Sequence, residues 1–281
     1  MGKSGISYLD AVWNPILGCS PKMPCAARCW AWRTVARVAR VVNPRQELID
    51  NTLDWGPFGN KPCGWSGKSA LVKPWLDAPL HWRKPQRIGV CFLGDLFADA
   101  VPDEWIGRVL NVCASARQHR YFFLTKQAER MRDAVRNWFG PGLGGYGSPT
   151  RELAELTRDS LRLGVSVCNQ AEADERIPIL QDTPAAFRWA SIEPMIDEID
   201  LTASGKQGVG EQLIDHLNWV VVGCESGPGR RPCDVMWVNN IVLQCHAAHV
   251  PVFVKQIMDK DGRVSHNPTE WPEWLRQQEQ P

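Results

Sequence analysis

The chain has 281 residues, 44% apolar and 22% charged, and its 32 basic and 31 acidic side chains leave a net charge of +1. That length suits one large domain or two small ones, and the charge balance excludes attachment to nucleic acid by bulk positive charge while permitting a local basic groove. No apolar run approaches the roughly 20 residues that cross a bilayer. The start, Met1-Gly2-Lys3-Ser4-Gly5-Ile6, lacks a signal-peptide core and carries Ile6 where myristoylation requires Ser or Thr. The expected location is the cytoplasm, with no membrane partner.

In chain order, the first notable segment runs from Gly18 to Ala31 and puts Cys19, Cys25 and Cys29 in one Pro-containing loop, spaced C-x5-C-x3-C. Three thiolates on a short loop can hold three irons of a [4Fe–4S] cluster and leave the fourth open. A structural zinc site wants a fourth nearby Cys or His, and the next Cys is Cys63. A Cys-rich catalytic zinc and a loop with no metal remain alternatives. The other cysteines stand singly, several inside apolar segments, where a thiol is a small buried hydrophobe.

Arg33, Arg37, Arg40 and Arg45 follow, and helical spacing puts the first three on one side. That stripe is either a phosphate-tracking face or a solvated one. Asn43–Asp77 is rich in Gly, Pro, Trp and Asn and reads as a surface insertion, with a lid or substrate-contacting role as the alternative. Fourteen Trp in the whole chain predict an aromatic-rich core or stacking surfaces for planar ligands. Trp30, Trp55, Trp65, Trp75 and Trp82 are the stacking candidates. Gly64-Trp65-Ser66-Gly67-Lys68-Ser69 imitates a phosphate loop, but Pro62 stands where the leading Gly belongs.

From Arg87 onward, short apolar runs alternate with helical patterns. Strands are predicted at Ile88–Leu93, Tyr121–Leu124, Leu163–Val167, Phe187–Ile192, Trp219–Val222 and Val252–Val254, each continuously apolar and so buried on both faces. Helices are predicted at Asp103–Ala116, Lys126–Trp138, Gln170–Gln181 and Asp234–His246, with a glycine-rich loop over Trp138–Arg151. The alternation predicts an α/β protein with a parallel sheet, doubly wound or closed into a barrel, and the unit count favours a partial barrel. We read residues 1–281 as one domain, with a core over 10–257 and a C-terminal tail over 258–281.

Polar residues follow the strands in turn: Asp95, Lys126, Ser166 with Asn169, Glu193, Glu225 and Lys255. The C-terminal ends of parallel strands are where sites form in both architectures. These residues are therefore expected to share a polar site.

The ordered motifs also carry a resemblance. Val12-Trp13-Asn14-Pro15-Ile16-Leu17-Gly18-Cys19 with Cys25 and Cys29-Trp30-Ala31 resembles the opening of a phage-associated, radical-SAM-like family long catalogued as a domain of unknown function. Further matches are Asp95-Leu96-Phe97, Leu124-Thr125-Lys126 with Glu129-Arg130-Met131, Gly164-Val165-Ser166-Val167 and Asp174-Glu175-Arg176-Ile177-Pro178. Ser191-Ile192-Glu193-Pro194, Glu225-Ser226-Gly227 and Phe253-Val254-Lys255-Gln256 complete a likeness over roughly residues 10–257.

The resemblance implies a partial (βα)6-type, TIM-like barrel with a [4Fe–4S] cluster loop near the N-terminus, using S-adenosyl-L-methionine and an external electron donor. Cys19, Cys25 and Cys29 carry over as cluster ligands. The family resembles C-x6-C-x2-C, so the middle cysteine here is displaced by one residue. Asp95 is expected to take the amino group of S-adenosylmethionine, with Ser166, Asn169 and Trp30 completing the cofactor contacts. Lys126 and Lys255 are expected to neutralise a carboxylate or phosphate, and Glu193 and Glu225 to position an amine or act as acid/base groups.

A phage setting makes a modified DNA base the expected substrate, with radical isomerisation of an amino-acid-decorated thymidine the preferred reaction. Such chemistry needs the base out of its stack. The alternatives are a radical enzyme on tRNA, peptide or damaged thymine, and a zinc- or cluster-bearing nucleic-acid-binding protein without catalysis.

Overall fold

The computed structural model describes residues 4–22, 28–39, 51–57, 62–140, 157–204 and 211–280. The chain divides into two compact units, Met1–Arg162 with Pro184–Ala186, and Leu163–Thr183 with Phe187–Pro281.

Unit 1 is built on three parallel strands in the order β1 (Ala11–Trp13), β6 (Arg87–Val90), β7 (Arg120–Thr125). Ala11 pairs with Ile88, and Ile88 with Tyr121. β1 escapes sequence reading because Asn14-Pro15 cuts its apolar run to three residues. The predicted strand from Ile88 stops at Val90, three residues early, because Cys91 turns the chain with a φ of 57°.

Two small antiparallel pairs occupy the predicted insertion: β2 (Ile16–Leu17) with β5 (Ala70–Leu71), and β3 (Leu53–Asp54) with β4 (Gly64–Trp65). Helices α1 (Trp30–Ala39) and the one-turn α2 (Lys73–Leu76) accompany them. Ala31, Val35, Leu17, Leu53 and Trp65 form their shared apolar cluster. Helix α3 (Asp103–Ser115) opens with Asp103 and Glu104, where the helix dipole favours acidic groups. Helix α4 (Ala128–Phe139) follows β7 directly. The predicted loop beyond it falls mostly outside the described residues.

Unit 2 has its own parallel strands in chain order: β8 (Leu161–Val167, all but its first two residues), β9 (Arg188–Ile192), β10 (Trp219–Gly223) and β11 (Val252–Met258). The Trp219-Val220-Val221-Val222 run is fully buried, as a doubly covered parallel strand requires. Helix α5 (Gln170–Gln181) is capped by Asn169, whose side-chain oxygen accepts the Glu172 N–H at 2.9 Å, and α6 (Val235–Ala247) by Asp234, which accepts from Met236.

The C-terminal segment closes the β11 edge. β12 (Val264–Ser265) pairs antiparallel with Ile257 and Met258, the Gln277 carbonyl accepts the Val254 N–H at 2.9 Å, and the Glu279 carboxylate accepts the Val252 N–H at 2.8 Å. An exposed strand edge would otherwise template pairing with another chain.

Of the fourteen Trp, six are buried in the core, six are partly buried, and Trp30 and Trp274 are exposed. Trp13, Trp189, Trp219 and Trp271 are fully buried, and the Trp189 and Trp219 rings lie 5.4 Å apart. Among the described residues, no helix is long and apolar enough to cross a membrane. The architecture is a mixed α/β fold with predominantly parallel strands.

Candidate functional site

In unit 1 the site begins with a close approach of two backbone segments. Gly18 adopts a φ of 98°, and a Cβ there would lie 2.2 Å from the Lys68 carbonyl oxygen. Gly94 bridges Gly18, and its Cβ would meet the Gly18 carbonyl at 2.6 Å. Only glycine at both positions lets the cysteine loop press against the end of β6. The Asp95 N–H then donates to the Gly18 carbonyl at 3.0 Å, and the Ser20 hydroxyl accepts from the Asp99 N–H at 3.0 Å.

Asp95 is buried at 5% exposure, and its carboxylate gathers donors from two strand ends. The Thr125 hydroxyl lies 2.8 and 2.9 Å from its two oxygens, and the backbone N–H groups of Phe97 and Lys126 donate at 2.9 and 3.3 Å. Burial pushes the Asp95 carboxyl above the usual range, and the hydrogen bonds from Thr125, Phe97 and Lys126 oppose that shift. Asp95 thus ties the β6 and β7 ends together. The sequence reading gave it to a cofactor's amino group and missed Thr125, its nearest partner.

Beside it lies a cavity of about 110 Å³, walled by Cys19, Cys29, Trp30, Asp95, Thr125 and Lys126 among others. Cys29 directly precedes α1, whose N-terminal end favours negative charge, as a thiolate ligand needs. Both thiols are half-buried. Cys25 lies outside the described residues. Among the described residues no group of three His, Cys, Asp or Glu side chains could hold a metal ion.

Unit 2 carries the remaining predicted residues. Ser166 is buried, with its hydroxyl 3.4 Å from the Glu193 carbonyl. Glu193, at the end of β9, receives Lys255 Nζ at 2.7 and 2.9 Å and the Gln256 side-chain amide at 2.7 Å. Glu225 receives the Arg231 N–H at 2.8 Å and its guanidinium at 2.9 and 3.1 Å, closing the loop after β10. The structure therefore brings Glu193 and Lys255 together, engages Glu225 with Arg231, and spends the Asn169 oxygen on a helix cap.

The conspicuous Arg176 belongs to a buried clamp. It donates to Glu172 at 2.9 Å and to the Ser166 carbonyl at 2.7 Å, while Glu172 accepts the Cys168 N–H at 2.8 Å. This buried ion pair, hydrogen-bonded to the Ser166 carbonyl and the Cys168 N–H, fixes the end of β8. Gln256 and Arg231 were also missed. A glutamine inside the apolar run Val252–Met258 was the signal available for Gln256.

Of the proposed stacking residues, Trp30 is exposed at 55%. Trp65 is in the core, Trp55 and Trp75 pack partly buried against it, and the Trp82 ring meets His119 edge-on at 5.9 Å. Burial against apolar neighbours removes Trp65 from a stacking role. Arg33 lies over the Trp32 ring at 5.5 Å and Arg37 is exposed, whereas Arg40 and Arg45 lie outside the described residues.

The chain is an α/β protein, and in each unit polar residues stand at the C-terminal ends of parallel strands. Over residues 3–270 the chain matches the family DUF5131, described as a protein of unknown function, and it belongs to that family. No curated protein and no solved structure matches it.

Proposed function

We propose that this chain is a radical S-adenosylmethionine enzyme acting on a modified DNA base, with isomerisation of an amino-acid-decorated thymidine as its reaction. The observation that carries the reading is the unit 1 cavity, where two thiols from the three-cysteine segment share one wall with Asp95, Thr125 and Lys126. The donor chemistry fits an iron–sulfur cluster: Cys19 and Cys29 would hold it together with Cys25, with S-adenosylmethionine alongside. When bound, that pair supplies one-electron cleavage of the sulfonium and hydrogen abstraction from the substrate, with the electron coming from an external donor.

The chain's own residues prepare the cavity. Gly18 and Gly94 hold the cysteine loop against β6, and Asp95 fixes Thr125 and the Lys126 backbone at the rim. Phe92, Trp30 and Trp65 supply apolar wall, which limits water at a radical centre. Exposed Trp30 offers a face on which a base can stack, and Arg37 a charge for a phosphate. A partial (βα)6-type barrel is the finer architecture we propose. Strand order following chain order within each unit supports it, since doubly wound sheets reverse direction at a switch point.

The test is anaerobic reconstitution with iron and sulfide, then reduction with S-adenosylmethionine present. Formation of 5′-deoxyadenosine by the wild type and its absence in Cys25→Ala supports the reading. Failure to assemble a cluster, with zinc retained, overturns it in favour of a nucleic-acid-binding protein. Salt-dependent binding to DNA over tRNA and peptide tests the substrate class.

A further inference from the structure

Glu193, Lys255 and Gln256 are held by a local device that an ordinary salt bridge does not need. In β11, Val254 pairs with Val222 but Gln256 pairs with Gly223, so Lys255 is an extra residue in the ladder. Successive side chains on a regular strand point to opposite faces; a bulge re-aims one of them. Here the bulge lets the adjacent Lys255 and Gln256 converge on one carboxylate.

Two further features complete the device. A Cβ on Gly223 would stand 3.0 Å from Gln256 Nε2, so glycine leaves space for the amide. Gln256 is fully buried, and its NH2 group spans the Glu193 carboxylate at 2.7 Å and the Cys224 carbonyl at 2.6 Å. Its Oε1 is buried with no hydrogen-bond partner among the described residues, a cost accepted to aim the NH2. By contrast, Glu193 and Lys255 keep 19% and 22% of their side chains exposed. Their charges are reachable from solvent at the ends of the strands.

We propose that Glu193 and Lys255 form a subsite for an α-ammonium-carboxylate group, with Gln256 as the residue that positions Glu193. The ligand's ammonium goes to Glu193 and its carboxylate to Lys255. A zwitterion exchanges one compensated pair for two, whereas a lone anion or cation would leave one protein charge uncompensated in a half-buried site. That this group is the arm of a larger base rests on the function proposed above; the subsite itself is tested without turnover.

The experiment is an amide-detected NMR titration of the full chain, following the Gln256 side-chain NH2 signal, assigned by its loss in Gln256→Leu. The probes are glycine, acetate and ethylamine, with a thymidine bearing a glycine arm on its methyl carbon as a fourth. Glycine is expected to shift the signal and the two single-charge probes to leave it. Glu193→Gln and Lys255→Met are each expected to weaken glycine binding by about tenfold or more. Tighter binding of the nucleoside marks the arm as the ligand; equal binding marks a free amino acid. No shift with glycine, or equal shifts with all three small probes, overturns the subsite. Loss of 5′-deoxyadenosine formation with the glycine response intact would remove the radical reading alone.

Discussion

Asp95 in unit 1 and Glu193 in unit 2 are both carboxylates at the ends of parallel strands, yet they are built for different work. Asp95 is sunk among a hydroxyl and two backbone N–H groups, so its charge is spent on holding strand ends together. Glu193 is held by an ammonium and a side-chain amide and keeps part of its surface in solvent. The surrounding backbone differs in the same sense. Unit 1 shapes its cavity with two-residue strands and glycine contacts between loops, whereas unit 2 shapes its pair with one bulge in a long strand. A carboxylate sunk fully among its donors is architecture, and one that keeps part of its surface in solvent can trade its partners for a ligand.

The strongest way to break this contrast is to damage the frame of unit 2 while leaving Glu193 in place. Arg176→Met strands the Glu172 charge in a buried setting and is expected to cost about 3–5 kcal/mol in urea unfolding. In unit 1, Gly18→Ala forces an unfavourable φ and a contact with backbone that cannot yield. Its expected cost is about 3 kcal/mol, and under the proposed function cluster assembly is lost with it.

Asp95→Ala orphans the Phe97 and Lys126 N–H groups and the Thr125 hydroxyl, at a cost of about 1–3 kcal/mol. Asp95 also sets a pH dependence. Its folded carboxyl titrates above the usual value because burial disfavours the charge. The stability it contributes is therefore fully present below the unfolded value of 3.8 and is lost as pH rises through the folded one. Asp95→Asn is expected to flatten that limb of a pH–stability curve, and an unchanged curve would place Asp95 outside the buried network.

Smaller effects sharpen the other side. Glu193→Gln leaves Lys255 without its carboxylate in a pair that is only 19–22% exposed and is expected to cost about 1–2 kcal/mol, while still weakening glycine binding. A larger loss would make the pair structural. Trp30→Ala is expected to leave stability within about 0.5 kcal/mol, because the ring is mostly in solvent, and under the proposed function to weaken DNA binding.

Much of this was legible in advance. All six predicted strands and four predicted helices correspond to observed elements, and the polar residues that follow those strands were already named. Asn169 shows the limit: an Asn before a helix reads equally as ligand or cap, and the Glu172 N–H decides for the cap. Trp65 shows it again, since composition counts rings without saying which face they meet.

The sequence by itself determined the order of strands and helices from Arg87 to Val254, the three-thiol segment and the polar ends of those strands. Apolar runs, helix starts and cysteine spacing are local properties of the chain. Tertiary structure alone decided that Asp95 is embedded, that Arg176 clamps β8, and that Lys255 and Gln256 meet on Glu193. Each of those depends on contacts beyond the local pattern: Gly18 against Gly94, Ser166 above Arg176, and Val222 and Gly223 setting the bulge in β11. Periodicity cannot report such contacts, because a bulge or a close backbone approach exists only once its partner is in place.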